Sequence, residues 1–209
     1  MRLLPSSALL VACAGAPPKR AEPTPCNADA KIVLAGQDDV AAAGGCLTIQ
    51  SLVIRTGVPL DLTPLTKLHV VLGDLRVGPT VGLEDLRLPE LHSAGAITIA
   101  GNGDLHRVFF PKLVSVQSVA IESNVALTTI LMPALGRVSE ALTIRSSGDL
   151  GLVELSSLQT VGGALTVVDN PKLTLLELGK LERAQAVHIE NNGELDASLV
   201  DAVRSRAAP

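Results

Sequence analysis

The chain of 209 residues has no tryptophan, no tyrosine and only two phenylalanines. This scarcity weighs against a carbohydrate site, which usually leans on exposed aromatic faces. The formal net charge of −4 weighs against nucleic acid as a partner. No Asn-x-Ser/Thr sequon occurs, so nothing suggests a glycosylated surface protein. Also missing are a serine nucleophile with His and acid at recognisable spacing, a phosphate-binding loop and a carboxylate cluster. The sequence therefore gives no reason to expect catalysis, a cofactor or a metal. Apolar runs stay far below the ~20 residues that a spanning helix needs. Yet 47% of the residues are hydrophobic and mean hydropathy is +0.39. That hydrophobicity needs another explanation.

A repeat supplies it. An apolar-x-apolar phrase begins at Leu52, Leu75, Ile97, Val119, Leu142, Leu165 and Val187, in steps of 23, 22, 22, 23, 23 and 22 residues. A second phrase runs Leu86-Arg87-Leu88, Val108-Phe109-Phe110, Ile130-Leu131-Met132, Val153-Glu154-Leu155 and Leu176-Glu177-Leu178. Two leucine columns keep the same period: Leu68, Leu91, Leu113, Leu135, Leu158 and Leu181, then Leu60, Leu83, Leu105, Leu127, Leu150, Leu173 and Leu195. Alternation every second residue indicates strands rather than helices, and a fixed period of this length indicates a solenoid. The expected fold is mainly β: a right-handed parallel β-helix or leucine-rich-repeat-like solenoid of about seven 22–23-residue coils with small helical caps. At about 4.8 Å per coil the rod is roughly 30 Å long.

A corner follows the last five first phrases, at Asn102, Asn124, Ser147, Asn170 and Asn192. Asparagine tolerates left-handed backbone and bonds nearby backbone groups. A structural ladder of amides is the expected role, with a ligand-binding row of amides as the alternative. His69 and His92 share a column one coil apart, and read either as a metal-binding pair or as solvated surface residues. Outward positions of the second phrase are Arg87, Phe109, Leu131, Glu154 and Glu177. Phe109 and Leu131 stand side by side where polar residues belong. They form a candidate protein interface, unless a loop covers them or they are ordinary surface.

The ends differ from the repeat. Residues 26–46 read as an N-terminal cap, with a strand at Lys31–Leu34 and a short helix from Gln37 to Ala43. Cys26 and Cys46 bracket it, and read as a disulfide or as two free thiols. Residues 196–206 read as an amphipathic C-terminal cap helix whose Leu199, Val200 and Val203 cover the last coil. At the start, a charged residue and an apolar stretch lead to Leu10-Val11-Ala12-Cys13. This resembles the bacterial lipobox, which implies a signal peptide over 1–12 and lipidation of Cys13. An ordinary cleaved signal peptide and an irrelevant start are the alternatives. Ala14 after the cysteine would favour the outer membrane. Residues 13–25 are proline-rich and read as an extended tether of about 35–40 Å. A lipid anchor and a cystine would both belong outside the cytoplasm.

From Cys26 through Cys46-Leu47-Thr48-Ile49-Gln50-Ser51-Leu52-Val53-Ile54 and over the following coils, clearest at Val119–Val138, the chain resembles the receptor L domain family. The resemblance covers residues 26 to about 205, the solenoid domain being 26–208. The chain departs from the receptors in lacking aromatic residues and in carrying a single such domain. What the resemblance implies is binding rather than catalysis. The expectation is a lipid-anchored protein of the bacterial cell envelope that presents a solenoid to an unidentified protein ligand. The alternatives are a structural envelope protein without a ligand and a β-helix enzyme acting on polysaccharide.

Overall fold

The structure is a computed structural model that describes residues 26–207, and in it the repeat forms a parallel β-solenoid. The first phrase of every coil pairs with the next in a continuous ladder. Leu52 aligns with Leu75, then Ile97, Val119, Leu142, Leu165 and Val187. The cap strand Lys31–Leu34 pairs in parallel with Ser51–Ile54 and adds one rung in front of the seven coils. A second, five-stranded ladder is built from the second phrases: Asp85–Arg87, Arg107–Phe109, Thr129–Leu131, Leu152–Glu154 and Leu175–Glu177.

Alternation sets the core. In the short strands the residues of the phrase that flank its middle position point inward and are buried, as at Leu142 and Ile144, while Thr143 between them is half-exposed; Val187, in the last strand of the first ladder, is half-buried. The column Leu68, Leu91, Leu113, Leu135, Leu158 and Leu181 lies in the core throughout. Burying such a side chain contributes about 1.5–3 kcal/mol. Phe110 and Met132 take the place that Leu88, Leu155 and Leu178 hold in other coils, and all five are buried.

The 22- and 23-residue steps have a local cause. From the buried Val116 to Val119 is three residues, but from Val138 to Leu142 and from Val161 to Leu165 is four. The added residue sits at the bend leading into the first ladder. Pairing there skips between Val161↔Ala184 and Ala164↔Ala186. Gly162 and Gly163 occupy the bulge, where a Cβ on Gly162 would collide with the Ser139 carbonyl.

Both ends are capped. Cys26 and Cys46 form a disulfide with their Cα atoms 4.8 Å apart. Helix α1, Gln37–Ala43, buries Val40 and Ala43. Asp39 Oδ2 accepts from the amides of Ala35 at 2.9 Å and Gly36 at 3.0 Å. The Gln37 side-chain amide bonds the Asp61 backbone in both directions, each at 2.9 Å, and so ties α1 to the first coil. At the back, helix α2, Ala197–Arg206, starts on the Asp196 carboxylate, which accepts from Ser198 N–H at 2.8 Å. Val203 is buried against the last coil and Leu199 and Val200 are half-buried. Among the described residues, no helix is long and apolar enough to cross a membrane.

The first coil breaks the pattern on one side. Where later coils carry the second strand, it carries a 3-10 turn, Thr63–Lys67, with Pro64 near its start. The second ladder therefore begins one coil later than the first.

Candidate functional site

The Asn corner is fully engaged. Asn102 Nδ2 donates to Asn124 Oδ1 at 2.8 Å, and Asn170 Nδ2 to Asn192 Oδ1 at 3.2 Å. The same oxygens accept the backbone N–H groups of Asn102 and Asn170. Asn124 and Asn192 donate to the Ile99 and Val167 carbonyls at 2.9 and 2.8 Å. Asn102, Asn124 and Asn170 are buried. The left-handed backbone expected of the asparagines falls one residue earlier, on Gly101, Ser123, Ser146, Asp169 and Asn191, with φ between 55° and 69°. That turn aims the next side chain into the rod, where its amide bonds the strand carbonyls of the preceding coil.

His69 and His92 stack with ring centroids 5.3 Å apart. Each Nδ1 lies 2.6 Å from a backbone carbonyl two residues earlier, Lys67 and Glu90. Among the described residues, no group of three or more His, Cys, Asp or Glu is placed to hold a metal ion. Cys13, the expected lipidation site, the expected signal peptide over 1–12 and the expected tether over 13–25 lie outside the described residues.

Phe109 and Leu131 are register partners on the outward face of the second ladder, and both are half-exposed. The Arg87 guanidinium lies 6.0 Å from the centroid of the Phe109 ring. The structure extends this apolar surface beyond the pair. The first residue of each strand also faces outward, and in the next two coils it is Leu152 and Leu175, themselves register partners. Leu175 is 45% exposed. Phe109, Leu131, Leu152 and Leu175 thus form a stepped stripe across four rungs, two in-register pairs offset by two residues, with Leu131 beside Glu154 and Leu152 beside Thr129. In the middle coils the outward residues of the first ladder are smaller, namely Thr98, Ala120, Thr143 and Thr166, whereas its ends carry Val33, Val53, Arg76 and His188. Leu152 and Leu175 escaped the sequence reading because they begin their strands, outside the apolar-x-apolar phrase. The signal available was the same column in earlier coils, polar at Asp85, Arg107 and Thr129.

Beside Phe109 opens a groove of about 1040 Å³. One wall is the irregular side of the first coil, with Pro59, Leu60, Asp61 and Leu62. The other is the first strand of the second ladder, with Glu84, Asp85 and Arg87. The groove is a split between coils. Val81 N–H bonds the Thr56 carbonyl at 3.0 Å, and His92 N–H the His69 carbonyl at 2.8 Å. Between these two bonds, among the described residues, no backbone hydrogen bond joins the first coil to the second. The Thr63 hydroxyl, and after it the Thr63 amide, hold the Asp61 carboxyl below its ordinary value. Asp85 lies 3.6 Å from Arg87 and 3.8 Å from Arg107.

Fold and site together define a parallel β-solenoid with a cystine-closed front cap, an apolar outward stripe and a groove between its first two coils. Compared with protein-family models, curated proteins and solved structures, the chain has no match in any of the three.

Proposed function

We propose that the chain is a non-catalytic lipoprotein of the bacterial cell envelope that presents a receptor L domain-like solenoid for protein binding or adhesion. The observation that carries this reading is the stripe Phe109, Leu131, Leu152 and Leu175, apolar side chains on a strand face where the alternation calls for polar ones. Its position beside the groove gives a partner both a flat apolar contact and a recess. The corner amides, the most regular polar side chains of the repeat, are occupied in holding coil to coil, which leaves the outward rows as the variable surface. The anchor belongs to the reading through Leu10-Val11-Ala12-Cys13, and Ala14 favours the outer membrane.

Pull-down from envelope extracts tests the binding role. Phe109→Ser with Leu131→Ser is expected to abolish recovery of a partner while the circular dichroism spectrum stays unchanged. Undiminished recovery counts against the stripe. An alkyne fatty acid fed to cells is expected to label the wild type and not Cys13→Ser. Equal labelling, or none in either, rejects the anchor.

A further inference from the structure

We propose that the open edge of the second ladder, Asp85–Arg87, binds an extended peptide segment carrying basic side chains, which adds to the ladder as its missing first rung. This rests on the protein-binding reading above and names the chemistry of the partner.

The edge is a consequence of parallel pairing. Neighbouring residues of a parallel strand direct their backbone groups to opposite sides. Leu88 N–H bonds the Phe109 carbonyl at 3.2 Å and the Glu84 carbonyl accepts from His106 N–H at 2.8 Å, so Glu84, Leu86 and Leu88 serve the following coil. Asp85 and Arg87 then turn their N–H and C=O groups toward the groove. Such a row is a template for an added strand. The first coil does not fill it, because its chain turns into the 3-10 segment at this point and Pro64 has no N–H to offer.

Charge selects the occupant. Asp61, Glu84 and Asp85 line the groove against one cation, Arg87. Arg87 and, from outside the groove, Arg107 both face Asp85, so the negative charge left to a partner is that of Asp61 and Glu84. The hydrogen bonds of Asp61 go to Thr63, and among the described residues the Glu84 carboxylate has no ion-pair partner. An added strand sends alternate side chains to opposite faces. Apolar residues at one set of positions meet Leu60, and basic residues at the other meet the carboxylates.

The test uses the full chain in detergent, followed by backbone amide NMR, with an octapeptide of alternating Val and Lys as the probe. Two controls accompany it: the same peptide with alternate amides N-methylated, and a Val/Glu version. The Val/Lys peptide is expected to shift the amides of Asp85 and Arg87 and slow their hydrogen exchange. N-methylation is expected to weaken binding by about tenfold or more, the equivalent of losing one to two hydrogen bonds. Glu84→Lys with Asp85→Lys exchanges the preference toward the Val/Glu peptide, and its melting curve checks the fold. Equal binding of the N-methylated peptide, or shifts confined to Phe109, Leu131 and Leu152, overturns the edge while leaving the protein-binding reading standing. No shift with any peptide at millimolar concentration also overturns it, as does a dextran that moves the Asp85 and Arg87 amides where the peptides do not. The wider reading falls separately, on the pull-down.

Discussion

Asn102 Nδ2 and Asn124 Oδ1 are 2.8 Å apart across one coil, 22 residues along the chain. Asn124 Oδ1 also accepts the Asn102 backbone N–H at 3.1 Å, and Asn124 Nδ2 donates to the Ile99 carbonyl at 2.9 Å. One buried side chain therefore satisfies three polar groups of the coil before it. A one-residue slip would turn the aliphatic columns outward, and these bonds, being directional, restrict the register further. Together they fix the register of one coil on the next.

Removing Asn124 takes a partner from each of those three groups, and only Asn102 Nδ2 keeps another, the Val77 carbonyl at 3.3 Å. Asn124→Ala is expected to lower unfolding stability by about 2–4 kcal/mol. Gln185→Ala, at an exposed position of the last strand of the first ladder, is expected to cost under about 1 kcal/mol. Urea unfolding of both variants checks this. Equal small losses would mean that the corner is not what couples the coils.

The ladder has one break. Ser147 takes the corner after Asn124, and its hydroxyl makes only a long bond of 3.5 Å to the Arg145 carbonyl. It offers no acceptor to Asn124, although Ser147 N–H itself is received by Asn170 Oδ1 at 3.1 Å. Ser147→Asn is expected to join the two halves of the ladder and stabilise by about 0.5–1.5 kcal/mol. Thermal and urea unfolding both read this. A lower midpoint would show that the corner has no room for the larger amide.

The repeat was legible because burial selects residue type at every inward position, so the columns Leu68–Leu181 and Leu52–Val187 could be read from spacing alone. The corner asparagines were legible for the same reason. The left-handed residues were not, because that position demands only a backbone angle, and Gly101, Ser123, Ser146, Asp169 and Asn191 all meet it. The groove left a fainter mark: the first coil lacks a second apolar-x-apolar phrase and carries Pro64 in its place. A missing phrase shows that a strand is lost. It does not show whether the vacated edge closes or opens, which depends on where the 3-10 turn sends the chain.

The bulge in the sixth coil gives a backbone test. A Cβ at Gly162 would meet the Ser139 carbonyl, and one at Gly95 would lie 2.6 Å from the Gly73 carbonyl. Neither obstacle is a flexible side-chain end, so relief requires the ladder itself to shift. Gly162→Ala is expected to destabilise by about 1–3 kcal/mol, whereas Gly148→Ala, with open space around it, is expected to change stability by less than about 0.5 kcal/mol. Denaturation midpoints of the two variants decide the matter, and similar values would mean that the bulge is compliant.

Acid is expected to loosen the 3-10 turn of the first coil, which follows Asp61, and the back-cap helix α2, which follows Asp196. Asp61 is held below its ordinary value of 3.8 by the Thr63 hydroxyl and then the Thr63 amide, and Asp196 by the Ser198 amide and then its hydroxyl. A carboxylate whose pKa is lower in the folded chain contributes stability that is complete above its unfolded pKa. That contribution is lost as pH falls through the folded value. Both groups are exposed, so the effect is modest and screened by salt. Asp61→Asn with Asp196→Asn keeps a hydrogen-bonding side chain at each site and removes the charge. The wild type is expected to be the more stable near neutral pH, with the difference shrinking as pH falls below about 4 and disappearing once both carboxylates are protonated. Denaturant midpoints across that range follow the change. A gap between the two proteins that persists unchanged into acid would show that the turn and the helix are held by packing and neutral hydrogen bonds, with no part played by the charge on Asp61 and Asp196.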